Sequence, residues 1–574
     1  MQAITPPFRL PRTLEILLGV VVLFELIAPF ITKTYGVDGR LQVNMIAQFT
    51  HLVSEGALFP RWVPEGFYGF GSSAFYFYPP VMLYLASIFR IVFRFTNPYV
   101  LYQMTGLLAT IASYYASRMF FSSVGASKYQ VTIGAILFAF GPFRLADLYG
   151  RSNLATHVAY VFIPLIWYGL VEIVRRKDSR RVTRIVHLAI SSALLALTNV
   201  PTALASGVCI VLAGILFRKR LTWSMILDIS IAASIAAGLC AFHFLSAITF
   251  GPYANLASLD GGDPQFILLQ LFRQSSVPAL YYLGLLYIPV PIIALHYWLS
   301  RTSQKTSSEV ELITVQIGLA IAALTLFLEM PYISLPVWRY IPVFKLIQFG
   351  WRFYPHFVLF SSAIVAVAAT MSIRGAAHRV TWIWAIGAIG PAMLITFSLH
   401  LFAHSSRPLE DAIEYRPINS MPNDNFIKRL PPNQAVFFPV SVEMNRIYSP
   451  HEQDSPAIAD YQDREQVLRT ISKASLEEYQ VRLTGSRMVT FHRFYWPAWH
   501  LYVNDQEIPS HPDSIGRAAA NLPAGHYTAT WKLERTPLET AGLWISGITW
   551  IGVLIFVGIG LIHSRVKKKD TLAP

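Results

Sequence analysis

The chain has 574 residues, 54% of them hydrophobic and only 14% charged, with a mean hydropathy of +0.45. A soluble domain carries about 25% charged residues, and several stretches here approach the ~20 apolar residues that cross a bilayer, so composition excludes an ordinary soluble protein. The net charge of +14 does not mark a nucleic-acid binder, because the basic residues fall in short runs between apolar segments.

The first apolar segment, 14–31, follows Arg9 and Arg12 and has the outline of a signal peptide. Ile31-Thr32-Lys33-Thr34-Tyr35 offers no small-residue cleavage site, so a retained first helix is expected. Further spans are expected at 98–118, 130–146, 155–174, 185–197, 199–217, 223–247, 276–299, 310–330, 353–373, 381–402 and 540–563. That makes about twelve in all. Thr198-Asn199-Val200-Pro201 interrupts the region 185–217, which reads as two short spans or one broken hairpin. Asn199 needs a polar partner at that depth. Cys209 and Cys240 both lie in apolar segments and read as small core residues rather than a disulfide or metal pair.

Charge sets the expected topology. The basic runs are Arg175-Arg176-Lys177 with Arg180, Arg181 and Arg184; Arg218-Lys219-Arg220; Arg374 to Arg379; and Arg565 with Lys567-Lys568-Lys569. Such runs mark cytoplasmic loops. If 79–95 spanned the bilayer, the first of these runs would lie outside. With Arg90 and Arg94 on one side, that segment reads instead as an amphipathic helix on the outer surface. Every basic run then becomes cytoplasmic, and both chain ends lie inside. The outer face receives 32–78, 147–153, 248–275, 331–352 and 404–538.

The last of these is the one long polar stretch. Within it, Val436 to Val442, Tyr479 to Leu483, Met488 to Phe494, Gln506-Glu507-Ile508-Pro509 and Tyr527 to Leu533 are short runs rich in β-branched and aromatic residues, broken by turn formers. Ala524-Gly525-His526 reads as a hairpin turn. The expected organisation is an α-helical polytopic membrane domain over 1–403, a small β-rich outer domain over 404–538, and a final helix with a basic tail over 539–574. In the outer domain Trp496, Trp499 and Tyr502 are candidates for sugar stacking or for packing onto the membrane domain, and for Trp499 packing is favoured.

Asp38 stands in Tyr35-Gly36-Val37-Asp38-Gly39-Arg40, just past the first span on the outer side. A carboxylate at the bilayer edge can act as a general base on an acceptor hydroxyl, or be an ordinary solvated loop acid. Arg40 and Arg61 nearby in sequence would favour its charged form. Glu65, between Pro64 and Gly66, is a second acid of interest, whereas Glu55 in Ser54-Glu55-Gly56 reads as a helix end. Arg61, Arg144, Arg151, Arg339, Lys345 and Arg352 map to outer loops or their edges, where basic residues are depleted. They can hold a phosphate through charge-assisted hydrogen bonds, or snorkel to headgroups. Asp147 can pair with Arg144 or Arg151 and fix the loop. Tyr78 closes the aromatic run that starts at Phe75 and joins the candidate substrate contacts.

Glu25 and Asp228 fall inside expected spans, where a helix–helix polar contact is commoner than a proton path. His157, His243, His296 and His356 are scattered without metal spacing, and there is no phosphate-binding glycine loop, metalloprotease helix or nucleophile elbow.

Taken in order, these features resemble a known family. One helix, an outer loop with an Asp, interfacial helices, then Pro-Pro and aromatics resemble the opening of the GT-C superfamily of membrane glycosyltransferases. More narrowly, the chain resembles bacterial membrane proteins related in name to 6-pyruvoyl-tetrahydropterin synthase, and the YfhO-like proteins. The matching stretches are Gly56-Ala57-Leu58-Phe59-Pro60-Arg61-Trp62, Tyr68-Gly69-Phe70-Gly71, Phe75 to Pro80, Arg144 to Arg151, Gln348 to Arg352 and Glu414-Tyr415-Arg416-Pro417. Trp496-Pro497-Ala498-Trp499-His500-Leu501-Tyr502-Val503 and Leu522-Pro523-Ala524-Gly525-His526 resemble the YfhO-type outer domain.

The resemblance implies transfer of a sugar from a polyprenyl-phosphate carrier to an envelope glycan, lipid or protein acceptor, outside the cytoplasm of a bacterium and at its inner membrane. It implies Asp38 as general base and Arg61, Arg151 and Arg352 as phosphate-holding residues, with membrane lipids as surroundings and no nucleic-acid partner. Many relatives carry a His after the loop Asp, where this chain has Gln42 and Asn44. They often have Glu after the second loop, where it has Thr156-His157, and a His before Asn-Pro, where it has Thr198-Asn199-Val200-Pro201. These departures bear on whether a divalent metal is used. A lipid-linked glycan flippase, with Glu25 and Asp228 lining a path, and an inactive assembly protein are the competing readings.

Overall fold

The computed structural model describes residues 38–64, 66–126, 128–175, 181–254, 309–368, 466–514 and 516–570. The expected spans 14–31, 276–299 and 381–402, the boundary at 403–404, the expected strand Val436 to Val442 and the acid Glu25 lie outside these residues.

The principal helices are α1 Gly39–Ser54, α2 Val81–Phe93, α3 Pro98–Ser123, α4 Lys128–Ala139, α5 Leu154–Arg175, α6 Arg181–Ala196, α7 Val200–Leu216, α8 Trp223–Phe250, α9 Glu309–Glu329, α10 Tyr354–Ala368 and α11 Pro537–Asp570. Among the described residues four segments, Leu154–Arg175, Trp223–Tyr253, Leu312–Glu329 and Pro537–Gly558, are long and apolar enough to cross a membrane. With the composition, they mark a multi-pass membrane protein. The other expected spans that are described are shorter or more polar. Helix α3 is long enough, but it buries Gln103, Thr105, Thr110, Ser113 and Ser117 among its apolar residues. Region 185–217 resolves into two helices. Asn199 caps α7, accepting from the Thr202 amide at 3.1 Å and donating to Thr156 Oγ1 at 3.4 Å, so its depth is matched by partners.

Helix α5 is central: Leu154, Val158, Ala159, Ile163, Ile166 and Trp167 are buried in the bundle core. Helix α11 packs along α8 through small residues, as membrane helices do in the absence of a hydrophobic drive between them. A Cβ on Gly542 would stand 2.8 Å from the Ala241 carbonyl oxygen, and Ser546 Oγ donates to Gly238 O at 2.8 Å. Asp228 pairs with Arg181 at 2.7 Å, joining α8 to α6 as a helix–helix contact. Cys209 and Cys240 are free and buried.

The β module has two antiparallel sheets sharing one core. The strands are β1 Gln466–Ser472, β2 Leu476–Leu483, β3 Arg487–Phe494, β4 Trp499–Val503, β5 Gln506–Ile508, β6 Ser510–Pro512, β7 Arg517–Leu522 and β8 Gly525–Leu533. The orders are β1-β2-β8-β4-β5 and β3-β7-β6. Alternating side chains of β2 and β4 fill the core. A two-residue turn joins β4 to β5, with Asn504 and Asp505 both in the left-handed region (φ 49° and 61°), as a type I′ hairpin requires. The expected hairpin at Ala524-Gly525-His526 is corrected: β7 and β8 pair in different sheets, so the chain crosses between layers there.

The module sits on the loop that follows α1. Phe494 donates its amide to Phe70 O at 2.7 Å, His492 stacks on Phe70 at 4.0 Å, and Trp62 meets Trp496 at 6.1 Å and Trp499 at 6.0 Å. Trp499 is therefore a packing residue, with the Arg493 guanidinium 3.9 Å above its ring. Only glycine fits at position 71: φ is +88°, and a Cβ would lie 2.3 Å from the Trp62 ring.

Candidate functional site

Asp38 occupies the N-cap position of α1, yet its side chain makes no capping bond. It turns instead to the loop before α5. Its Oδ2 accepts from Arg151 Nη2 and from Asn153 Nδ2, each at 3.1 Å, and its amide donates to Arg151 O at 2.8 Å. Its Oδ1 accepts no hydrogen bond among the described residues, and the side chain keeps 16% of its surface exposed. Among the described residues one carboxylate oxygen is held and the other has no partner.

The loop that meets it is built from a short π-helical turn, Ala146–Arg151, in which Arg151 Nη1 reaches Asp147 Oδ1 at 3.0 Å. Arg151 thus bridges two carboxylates. Its guanidinium also lies over the Trp351 ring at 5.4 Å, and Trp351 stacks on Phe349 at 3.9 Å. Asp147 is buried, and its Oδ2 has no hydrogen-bond partner among the described residues. Burial pushes its carboxyl above the usual carboxylate range; Arg151 and then Arg352 pull the other way, and the Asp38 charge adds to the rise.

Asn153 then starts α5. Its Oδ1 accepts from the Thr156 amide at 2.9 Å, and Gln42 of α1 closes the same helix end, its Oε1 accepting from the Leu154 amide at 2.6 Å. Thr156 Oγ1 receives Arg352 Nη1 at 2.9 Å as well as Asn199. Arg352 comes from a 3₁₀ turn, Gly350–Phe353, that leads into α10. Four helix starts, those of α1, α5, α7 and α10, are therefore tied together through Asp38, Asn153, Thr156, Asn199 and Arg352. Each brings the positive end of a helix dipole to one place.

Tyr78 completes the group. Burial raises its phenol above the ordinary range, the Asp38 carboxylate adds to this, and Arg352 opposes it.

The sequence-derived set divides. Asp38, Tyr78, Asp147, Arg151 and Arg352 are brought together. Arg61 is elsewhere: it is buried against Glu539 at 2.8 Å and donates to Glu534 O, at the junction of loop, β module and α11. Arg144 is fully buried within the bundle, bonded to His157 Nδ1, Ala139 O and Ala109 O, with its guanidinium 5.0 Å over Tyr160. Arg40 lies in the first turn of α1, but its side chain, like all of Glu65, is outside the described residues. Lys345 and Arg339 are exposed. Glu55 caps the end of α1 at the surface, 3.3 Å from His51.

Asn153 was not among the sequence candidates, although an Asn just before an apolar periodic run is a helix-start signal. Gln42 and Thr156 stood out only as departures from relatives, whereas Asn199 was also marked as a polar residue needing a partner at its depth. Among the described residues no group of three or more His, Cys, Asp or Glu is placed to hold a metal. The two carboxylates here are already bridged by Arg151 and faced by Arg352, a charge-balanced cluster that does not fit a divalent cation.

No family model matches the chain, and no curated protein matches it. Solved structures do align with it. The arabinofuranosyltransferase AftD from Mycobacteria is 13% identical over 69% of this chain and 27% of its own, with a TM-score of 0.39. An Archaeoglobus fulgidus oligosaccharyltransferase tethered to an acceptor peptide is 12% identical over 69% of this chain and 56% of its own, with a TM-score of 0.43. ArnT from Cupriavidus metallidurans, bound to undecaprenyl phosphate, is 12% identical over 72% of this chain and 90% of its own, with a TM-score of 0.28. The chain spans about a quarter of the first of these and about half of the second.

Proposed function

We propose that this protein is a GT-C-type glycosyltransferase that moves a sugar from a polyprenyl-phosphate carrier to an envelope acceptor, on the extracytoplasmic face of a bacterial inner membrane. The observation that carries the reading is the state of Asp38: one oxygen is fixed by Arg151 and Asn153 while the other is open, in a group that also holds Arg352 and the positive ends of four helices. A carboxylate so held can take a proton from an acceptor hydroxyl. Guanidiniums and helix N-termini are the groups that stabilise the negative charge developing on a departing phosphate.

In this reading Asp38 is the base. Arg352 and Arg151 hold the carrier phosphate, and Tyr78 and Asp147 complete the donor contacts. The acceptor oxygen attacks the anomeric carbon opposite the phosphate, the C–O bond to the phosphate breaks, and the proton passes to Asp38. A single displacement inverts the anomeric centre. The YfhO-like character of the β module, and its place above the membrane domain, belong to the same reading.

A flippase is less favoured because Asp228, one of the two acids that would line a path, is closed off by Arg181. Asp38→Asn in purified full-length protein is the test, with polyprenyl-phosphate sugars as donors. Transfer is expected to fall by at least about 10²-fold with folding intact. Transfer at the parent rate would make Asp38 a bystander. Arg352→Lys, which keeps the charge but loses the planar fork, is expected to weaken donor binding.

A further inference from the structure

The far end of the bundle holds a cleft that the proposed reaction does not use. Helix α5 starts beside Asp38 and runs for 22 residues to Arg175, about 32 Å away at 1.5 Å per residue. There, between the last turns of α3 and α5, lies an open cleft of about 560 Å³, lined by Tyr115, Arg118 and Ser122 on one side and Tyr168, Glu172 and Arg175 on the other. By the charge pattern this is the cytoplasmic end, since the basic run from Arg175 to Arg184 follows directly.

Arg118 is held in place. Its Nη1 donates to Tyr114 Oη at 3.0 Å and to Thr132 Oγ1 at 2.9 Å, and its guanidinium lies 5.5 Å over the Tyr114 ring. Its Nε and Nη2 have no acceptor among the described residues. Arg175 stands 3.8 Å from Glu172, too far for a hydrogen bond, and both are partly exposed. Two guanidiniums therefore line one cleft with donors to spare among the described residues, while exposed Tyr115 gives its rim the aromatic character of a membrane interface. A basic residue near a helix C-terminus is favourable in its own right. That accounts for the charge. It does not account for a guanidinium fixed by two hydroxyls at the wall of an open cleft.

We propose that this cleft binds the phosphate of a lipid headgroup. Arg118 and Arg175 donate to its oxygens, and Tyr115 and Met119 lie against the glycerol and the first methylenes. Basic pockets between helices on the cytoplasmic side are suited to such headgroups, and the planar guanidinium fork matches phosphate geometry. Glu172 competes with the phosphate for Arg175. The site is independent of the transfer reaction at the other end.

The test uses full-length protein in detergent, delipidated, then titrated with short-chain phosphatidylglycerol and read by native mass spectrometry. Inorganic phosphate forms a second arm. Arg118→Gln with Arg175→Gln is expected to weaken lipid retention about tenfold, the scale for losing charge-assisted hydrogen bonds. Glu172→Gln is expected to tighten it. Equal retention by the parent and the double variant overturns the proposal. Displacement of the lipid by an equal concentration of inorganic phosphate overturns the lipid assignment in favour of a free-anion site. Should the double variant fail to fold, Glu172→Gln decides alone, and retention no tighter than the parent's counts against the site.

Discussion

Asn153 holds Asp38 and starts α5 with the two ends of one amide: Nδ2 donates to Asp38 Oδ2 at 3.1 Å while Oδ1 accepts from the Thr156 amide at 2.9 Å. The start of α5 and the aim of the proposed base thus share one side chain, beside Gln42 and Arg151. Two substitutions separate the roles. Asn153→Ser keeps an N-cap acceptor, so stability should stay within a few tenths of a kcal/mol. It cannot reach Asp38 with a donor, so kcat for sugar transfer should fall several-fold with KM little changed. Asn153→Ala loses the cap as well and should cost about 1 kcal/mol. Thermal melts and transfer rates of the two variants check this. A serine variant as active as the parent would show that Arg151 alone positions Asp38.

Arg151 and Arg352 were legible in the sequence as basic residues where the charge pattern leaves few, and Asp38 and Asp147 as loop acids. Their meeting was not. The Arg151–Asp38 contact joins residues 113 apart, and no periodicity encodes which helix starts converge. The same limit explains Arg61, whose partner Glu539 lies 478 residues away. Charge alone made it a phosphate ligand; packing gives it an internal counter-ion. In the β module, β2, β3, β5 and β8 were visible through their β-branched and aromatic residues. Strand β7, Arg517-Ala518-Ala519-Ala520-Asn521-Leu522, has none of that signal and is a strand because β3 and β6 flank it.

Asp147 gives a pH signature. Its carboxyl is raised above the ordinary value of 3.8, first by burial, so the folded protein favours the protonated form more than the unfolded chain does. The sign follows from linkage. Below 3.8 both states carry the proton and the stabilising effect is fully present. As pH rises through the raised folded value it is lost, at about 1.4 kcal/mol for every tenfold by which folding favours the proton. Asp147→Asn removes this titration. The melting temperature of the parent should therefore fall relative to that of the variant as pH rises from 4 toward neutrality in the same detergent. Parallel curves would mean that Arg151 and Arg352 compensate the burial fully.

Glu539 provides the sharpest stability test, because one carboxylate serves three elements. Its Oε1 accepts from Arg61 at 2.8 Å and from Ser246 of α8 at 3.2 Å. Its Oε2 accepts from the Thr536 amide at 2.9 Å while its own amide donates to Thr536 Oγ1 at 3.2 Å, a capping box at the start of α11. The loop after α1, α8 and the junction between β8 and α11 are pinned at this point, with Arg61 6% and Glu539 1% exposed. Glutamine serves a capping box as well as glutamate does, so Glu539→Gln removes the charge and leaves the helix start intact. What remains is an uncompensated buried guanidinium, which typically costs about 3–5 kcal/mol. Arg61→Met in the same chain removes that guanidinium and should restore a large part of the loss, since an apolar replacement of a buried pair is often close to neutral. Denaturant titration of the parent, Glu539→Gln and the double variant measures both terms. If the single variant is as stable as the parent, the pair contributes nothing to this junction; if the double variant is no better than the single, the loss comes from Ser246 and Thr536 rather than from Arg61.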